Sequence, residues 1–166
     1  MKIAKTRLRP APRQLELDVH FAVSPVGLPN AEQFAHWVAA ALRCGPRVAQ
    51  IGLRVVDEAE GRSLNHDYRG KDSATNVLSF ALNEGEEAVA GLPLMGDIVL
   101  AAEVVAREAA EQGKDLHAHY AHLTVHGMLH LQGHDHETDT EAEAMEALET
   151  VILARLGYTD PYAVEH

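Results

Sequence analysis

The chain has 166 residues, enough for one domain with a sizeable core, and its single cysteine argues for a reducing compartment and against a disulfide framework. The formal net charge of -11 counts against a nucleic-acid partner, because phosphate binding normally leaves a basic footprint. No apolar run approaches membrane-spanning length, and the basic segment Met1 to Arg13 lacks the apolar core of a secretory signal, so the expected compartment is the cytoplasm.

The first half of the chain alternates strand patterns with helix patterns. Apolar residues recur at every second position from Leu15 to Ala22, which is typical of a strand, and Asn30 and Asp57 are residue types that cap helices. The elements expected here are a strand over 15–22, a helix from Asn30 to Gly45-Pro46, a strand over 48–56, a helix from Asp57 to about His66 and a strand over 75–82.

The second half begins with a predicted mobile loop, Asn83 to Pro93, and then becomes mostly helical. A strand is expected over 95–100, and it runs directly into a helix over 101–112 that Gly113 ends. The composition of Leu116 to Leu131 predicts the next helix.

The last predicted helix carries both an apolar and an acidic stripe. It opens with Thr138 and Glu141 at capping-box spacing and ends before Gly157. The apolar residues predict a side packed on the core, and the acidic residues predict a solvated face. The apolar set is Met145, Leu148, Ile152 and Leu156, and the acidic set is Glu137, Asp139, Glu141, Glu143, Glu146 and Glu149.

Three histidines form a candidate metal site. In a helix, His126 and His130 lie one turn apart on one face, with their Cβ atoms roughly 6 Å apart. Gly133 can adopt a left-handed backbone, end the helix and return His136 to the same point. Three nitrogen ligands with a fourth position for water are the pattern of catalytic zinc, so these histidines predict one Zn²⁺ per chain.

The neighbouring polar residues are assigned other roles. His122 lies on the same helix face but about 12 Å from His130 along the helix axis, too far to share one ion. The remaining expectations are that His117 and His119 are solvated or in a loop, and that His134 or Asp135 orients a ligand imidazole without being the third ligand.

The same spacing leaves a peptidase as an alternative. The order His126, His130, Gly133, His136 is that of the metzincin protease motif, whose helix carries a glutamate directly after the first histidine. Gly127 stands at that place, so a peptidase would lack its general base. Peptide hydrolysis is therefore the second choice among zinc-dependent reactions.

A second polar cluster lies in the predicted loop between a helix and a strand. Arg69 and Lys71 stand there, and an arginine can hold a phosphate in bidentate fashion and stabilise charge on its oxygens. Salt bridges with Asp67 and Asp72 explain the two cations equally well. The dipeptide at 75–76 is expected to open the following strand through turn chemistry.

Both clusters, with the segment between them, resemble one family. LNHDYRGKDSATNVLSF at 64–80, MGDIVLAAEVV at 95–105 and HGMLHLQGHDH at 126–136 are similar to the YbeY family of bacterial endoribonucleases, which act in ribosomal RNA maturation and ribosome quality control. The resemblance covers most of Ile51 to Tyr162. Gly127 belongs to the family pattern as well, which resolves its conflict with the protease motif.

The resemblance implies a fold that agrees with the order of predicted elements. The expected fold class is α+β, a single domain in which a small mixed four-stranded sheet is packed with helices. Its metal site is expected on the histidine-bearing helix and the turn after it. We expect residues 1–13 to form a flexible basic segment and 14–166 to form one catalytic, metal-dependent hydrolase domain.

The resemblance also implies a function. It assigns zinc to His126, His130 and His136 and a role in RNA cleavage to Arg69, so that His126 and Arg69 are the expected catalytic residues. The predicted activity is cleavage of single-stranded RNA at the 3′ end of 16S ribosomal RNA, with the ribosome or a small-subunit precursor as partner. A zinc metallopeptidase and a metal-stabilised ribosome assembly factor without catalysis are the alternatives.

Overall fold

The computed structural model describes residues 14–42, 48–69, 75–82, 93–134 and 137–163, with the backbone alone at Tyr68 and Arg69. Its helices and strands follow one another in the predicted order. The elements are β1 (Gln14–Phe21), α1 (Ala31–Ala41), β2 (Val48–Val56), α2 (Glu58–Arg69), β3 (Val77–Ala81), β4 (Leu94–Ala101), α3 (Ala102–Gln112), α4 (Leu116–Leu131) and α5 (Asp139–Arg155).

The strands form one mixed sheet in the order β1-β2-β4-β3. β1, β2 and β4 are parallel, with Leu53 of β2 opposite Val19 on one side and opposite Ile98 on the other. β3 runs antiparallel to β4 and forms one edge. The α+β class and the mixed four-stranded sheet of a single domain are therefore confirmed.

Helix α4 lies at the centre of the main core. Tyr120, Val125, Met128 and Leu129 of this helix are completely buried, together with residues of α1, α5 and the sheet. A second, smaller cluster consists of Val56, Leu78 and Val99, with Leu64 of α2 packed against it. Because Val99 alternates with the buried Ile98 and Leu100 along β4, the two clusters lie on opposite faces of the sheet. The sheet thus separates α2 from the histidine-bearing helix.

Gly127 sets how closely α4 approaches the sheet. A Cβ atom at this position would lie 3.1 Å from Ser79 Oγ and 3.3 Å from Ile98 Cγ2. The Ser79 hydroxyl also donates a hydrogen bond to the Gly127 carbonyl at 3.2 Å. The residue that follows the first histidine therefore packs against β3 and β4, and any side chain there would require Ser79 or Ile98 to shift.

The predicted helix ends are confirmed where a cap was predicted. Asn30 and Thr138 both form capping boxes, and Asp57 Oδ1 accepts a hydrogen bond from Glu60 N at 2.7 Å. Gly113 ends α3 with a φ of 64°, a left-handed conformation that glycine adopts without steric cost. These ends are local features, which explains why the sequence predicts them.

Helix α1 ends earlier than predicted. Its last residue is Ala41, and Leu42 is already extended, whereas the sequence predicts an end at Gly45-Pro46. The side chain of Gln132 donates a hydrogen bond to the Ala41 carbonyl at 2.8 Å. A contact from the end of α4 thus satisfies a carbonyl at the end of α1, and no local sequence signal predicts it.

Helix α2 ends later than predicted. It continues past His66 to Arg69, so Arg69 is the last helical residue and the prediction that it stands in a loop is wrong. No glycine or proline interrupts the chain between Gly61 and Gly70, and burial of Asn65 and packing of Leu64 hold this turn against the sheet.

Several predictions concern residues outside the described part of the chain. These are the flexible basic segment over 1–13, the mobile loop Asn83 to Pro93 apart from Pro93 itself, and the position of Lys71. Within the described ranges, none of the helices is long and apolar enough to cross a membrane.

Candidate active site

The last turns of α4 bring two of the predicted ligands together. The ring centroids of His126 and His130 lie 5.0 Å apart, and both side chains are partly exposed while Met128 and Leu129 between them are buried. Both imidazoles therefore reach the same patch of surface, from neighbouring turns of one rigid helix.

The chain reverses directly after this pair. Gly133 has a φ of 94°, which is the left-handed conformation that the sequence predicts there. The His134 amide donates to the Leu129 carbonyl at 3.1 Å, and this bond closes the end of α4. His136 and Asp135 lie outside the described residues. Among the residues that the structure does describe, no three His, Cys, Asp or Glu side chains are grouped to hold a metal ion, so the three-histidine set stays a prediction.

A buried glutamate of α5 lies behind the histidines. The side chain of Glu149 is 1% exposed, and its carboxylate contacts three polar groups. Oε1 lies 2.6 Å from His122 Nε2 and accepts a hydrogen bond from the Tyr162 hydroxyl, also at 2.6 Å. Oε2 lies 3.0 Å from His126 Nδ1. Glu149 thus links a predicted metal ligand to a second histidine and to the C-terminal segment.

Its hydrogen bonds keep the pKa of this carboxylate low in spite of its burial. Burial acts against the charged form, but hydrogen bonds from His122, His126 and Tyr162 outweigh it and lower the pKa of Glu149 to about 2. Burial and the adjacent Glu149 carboxylate raise the pKa of Tyr162, so its hydroxyl keeps its proton. The cluster therefore contains one carboxylate and three groups that can donate hydrogen bonds to it.

Glu149 does not lie on the solvated face that the sequence predicts for it, so this prediction is wrong. The other members of the acidic set are exposed as expected, but Glu149 points into the core. The signal was present in the spacing, because position 149 follows Met145 by four residues and precedes Ile152 by three, and both of these residues are buried. An acidic residue inside an apolar stripe indicates a buried, paired charge.

His119 was also misassigned. It is 4% exposed rather than solvated, and its Nε2 lies 2.9 Å from Glu108 Oε1 of α3. The Asn76 side chain donates to the same oxygen at 3.0 Å. Glu108 therefore joins the arginine-bearing motif to the histidine helix. His117 is likewise helical and only partly exposed, with Nε2 at 3.3 Å from the Gly27 carbonyl oxygen.

The buried His119 predicts how stability changes with pH. Burial lowers the pKa of His119 below 6.5, although the Glu108 carboxylate acts in the opposite direction. The unfolded chain therefore takes up a proton on this residue at a higher pH than the folded chain does. The contribution of His119 to the free energy of unfolding is complete above the unfolded pKa and is lost as the pH falls through the folded pKa.

We expect the metal-free protein to lose stability between about pH 7.5 and about pH 5.5, and we expect His119→Gln to lose less of it. Urea unfolding at both pH values measures the loss of unfolding free energy for wild type and for His119→Gln. His66→Gln is the control, because the side chain of His66 is 63% exposed. An equal pH dependence in wild type and His119→Gln would contradict the prediction.

The structure gives Arg69 a position but not a contact. It is the last residue of α2, on the side of the sheet opposite α4, and its side chain lies outside the described atoms. The next strand in the chain, β3, begins at Val77 and packs on α4 beside Gly127. Arg69 is thus the last residue of the helix that precedes this strand in the chain.

Comparisons with known proteins agree with the motifs. The family model described as Endoribonuclease YbeY matches residues 28–157. A protein of Laribacter hongkongensis named "Endoribonuclease YbeY" is 82% identical over 166 residues, covering 100% of both chains. Proteins of the same name from Xanthomonas axonopodis pv. citri and Chromobacterium violaceum are 62% and 63% identical, covering 93% and 92% of this chain and 98% and 90% of theirs.

Among solved structures, the solution structure of TM1509 from Thermotoga maritima is 21% identical, with a TM-score of 0.49 over 89% of this chain and 99% of that one. The family match extends over every helix and strand except β1, and it includes both polar motifs. The chain belongs to the endoribonuclease YbeY family.

Proposed function

We propose that this protein is a zinc-dependent endoribonuclease that cleaves single-stranded RNA, with the 3′ end of 16S ribosomal RNA as its substrate and the ribosome or a small-subunit precursor as its partner. Membership of the endoribonuclease YbeY family is the observation that carries the proposal. The paired rings of His126 and His130 at the surface supply a place for the chemistry.

The donor set fits zinc. His126 and His130 present imidazoles 5.0 Å apart between centroids, a carboxylate holds the first of them from behind, and neutral imidazole is a preferred zinc ligand. His136 is the proposed third ligand, since three protein ligands leave a position for water or substrate. A zinc ion held there would lower the pKa of bound water and withdraw charge from a phosphoryl oxygen.

The protein groups have separate tasks in this proposal. The three histidines would hold the ion, and α4, which is buried on its other sides, would keep two of them in a fixed relation. Arg69 would bind the scissile phosphate and neutralise the charge that develops on its oxygens. The exposed acidic residues of α5 disfavour RNA on that side, so the strand would approach from the side that bears Arg69.

Two alternatives remain distinct from this proposal. A metallopeptidase of the metzincin pattern requires a glutamate after the first histidine, whereas this chain has Gly127 there, where a Cβ atom would crowd Ser79 and Ile98. An assembly factor that binds pre-ribosomes without cleaving RNA would use the metal for stability alone. Family membership favours the nuclease over both.

Purified zinc-loaded protein should cleave a short single-stranded RNA and leave a panel of peptides intact. A duplex of the same RNA sequence is the control for strand specificity, and the expected result is little cleavage of it. Cleavage of peptides would favour the metallopeptidase. Specific binding of ribosomal RNA without cleavage under any metal would favour the assembly factor.

A further inference from the structure

The partners of Glu149 determine where the protons of the cluster reside. The Tyr162 hydroxyl donates to Oε1, and each oxygen of the carboxylate faces a ring nitrogen, so the carboxylate is the acceptor and each histidine that contacts it must donate. His126 therefore carries its proton on Nδ1, which lies 3.0 Å from Oε2, and His122 carries a proton on Nε2, which lies 2.6 Å from Oε1. In a neutral His126 the lone pair is then on Nε2, and a metal binds the nitrogen that bears the lone pair.

We propose that Glu149 is the positioning residue of the metal centre: its buried carboxylate fixes the tautomer and the ring orientation of His126, so that Nε2 is the nitrogen that binds the metal. This inference rests on the proposed function for the presence of the metal. Glu149 does not touch substrate and acts through His126 alone.

A contribution to folding stability does not explain why a carboxylate stands at position 149. Met145, Ile152 and Leu153 of the same helix are each about 1% exposed, so the position lies in an apolar stripe. Taking a carboxylate out of water is unfavourable, and replacing a buried ion pair by apolar residues is often neutral or stabilising. A leucine at position 149 would pack well in this stripe, whereas only a hydrogen-bond acceptor can bind the Nδ1–H group of His126.

The C-terminal segment holds the carboxylate from the other side. Tyr162 reaches Glu149 because the segment after α5 folds back, and Lys114 Nζ donates to the Pro161 carbonyl at 2.9 Å. The Asp160 carboxylate accepts from the Tyr162 amide at 2.8 Å and fixes this turn. The carboxylate thus has donors on both oxygens, and its own orientation is restrained before it restrains His126.

The first test is zinc affinity of the full chain, measured by titration against a chelating indicator. Glu149→Gln keeps the shape of the side chain but replaces the ionised acceptor with an amide. We expect it to weaken zinc binding roughly 10- to 100-fold, the usual effect of losing a partner of a metal-binding histidine. Glu143→Gln, an exposed substitution on the same helix, is the matched control and should bind zinc as tightly as wild type.

The second test requires no metal and no activity. Nitrogen NMR of the imidazole side chains in zinc-free protein should show His126 protonated on Nδ1 in wild type and a shift toward the other tautomer in Glu149→Gln. Tyr162→Phe removes one of the three donors at a position that is 41% exposed, so this variant tests the cluster even if Glu149→Gln does not fold. It should weaken zinc binding in the same direction but less.

The possible results separate the two proposals. Zinc bound by Glu149→Gln as tightly as by wild type, or a wild-type His126 without a proton on Nδ1, would overturn the role of Glu149 and leave the proposed nuclease intact. A wild-type protein that binds no zinc would overturn the proposed metal and, with it, this role of Glu149.

Discussion

His126→Ala is expected to abolish zinc binding and RNA cleavage together. The variant removes one of three proposed ligands, and it also takes away the donor that faces Glu149 Oε2 at 3.0 Å. Because a buried charged group that loses a partner destabilises the folded protein by at least about 1–3 kcal/mol, the melting temperature should fall as well. Zinc content after dialysis, the rate of RNA cleavage and thermal unfolding measure the three effects separately.

His66→Ala is the matched control for this experiment. His66 is an exposed histidine on α2 and is not one of the proposed ligands, so zinc content and stability should both stay near the wild-type values. The double variant His126→Ala/His130→Ala provides the decisive result. One zinc per chain retained after both substitutions would refute the histidine site, and cleavage retained without zinc would refute a metal-dependent mechanism.

Most of the fold follows from local patterns in the sequence. The strand at Gln14–Phe21 alternates in burial as its sequence alternates in polarity, and the capping boxes at Asn30 and Thr138 begin helices where they were predicted. The wrong predictions of helix ends occur where a contact between residues distant in the sequence determines the structure. Gln132 binds the carbonyl at the end of α1, 91 residues away in the chain, and no window around Ala41 contains that information.

In the candidate site, too, local sequence patterns predict some of the contacts and miss others. His126, His130 and Gly133 are related by helical spacing and by the backbone freedom of glycine, so the sequence is enough to bring them together. Glu149 is 23 residues from His126 and belongs to another helix, and a solvated acidic face is the commoner arrangement for its sequence. Its burial becomes predictable only when its spacing from Met145 is weighed above its charge.

His119 shows the limit of assigning residues one at a time. A histidine among polar neighbours in the first turns of a helix is usually solvated, but Glu108 lies opposite it on α3 and accepts its hydrogen bond. Asn76 binds the same carboxylate, so three parts of the chain that are distant in sequence share one partly buried polar contact. Such a contact depends on how α3, α4 and the start of β3 are packed, which the order of elements alone does not fix.

Arg69→Ala should lower the rate of RNA cleavage by roughly 10²- to 10³-fold, the usual effect of removing one group that stabilises charge in the transition state. Zinc content and melting temperature should stay nearly unchanged, because the substitution leaves the proposed ligands and both apolar clusters intact. Arg69→Lys should recover only part of the rate, since an ammonium group keeps the charge but lacks the planar fork that matches a phosphate. Single-turnover cleavage at saturating enzyme separates this loss from weaker binding.

Arg107→Ala is the control for the loss of a surface cation. Arg107 is an arginine of α3 that pairs with Glu58 at 2.9 Å, and its side chain is 53% exposed, so its removal should change neither cleavage nor stability beyond the small effect of an exposed ion pair. The competing interpretation of Arg69, a salt bridge with Asp67 or Asp72, predicts a different pattern. In that case Arg69→Ala would lower the melting temperature, Asp67→Asn or Asp72→Asn would lower it to a similar extent, and cleavage would fall only in proportion to the unfolded fraction.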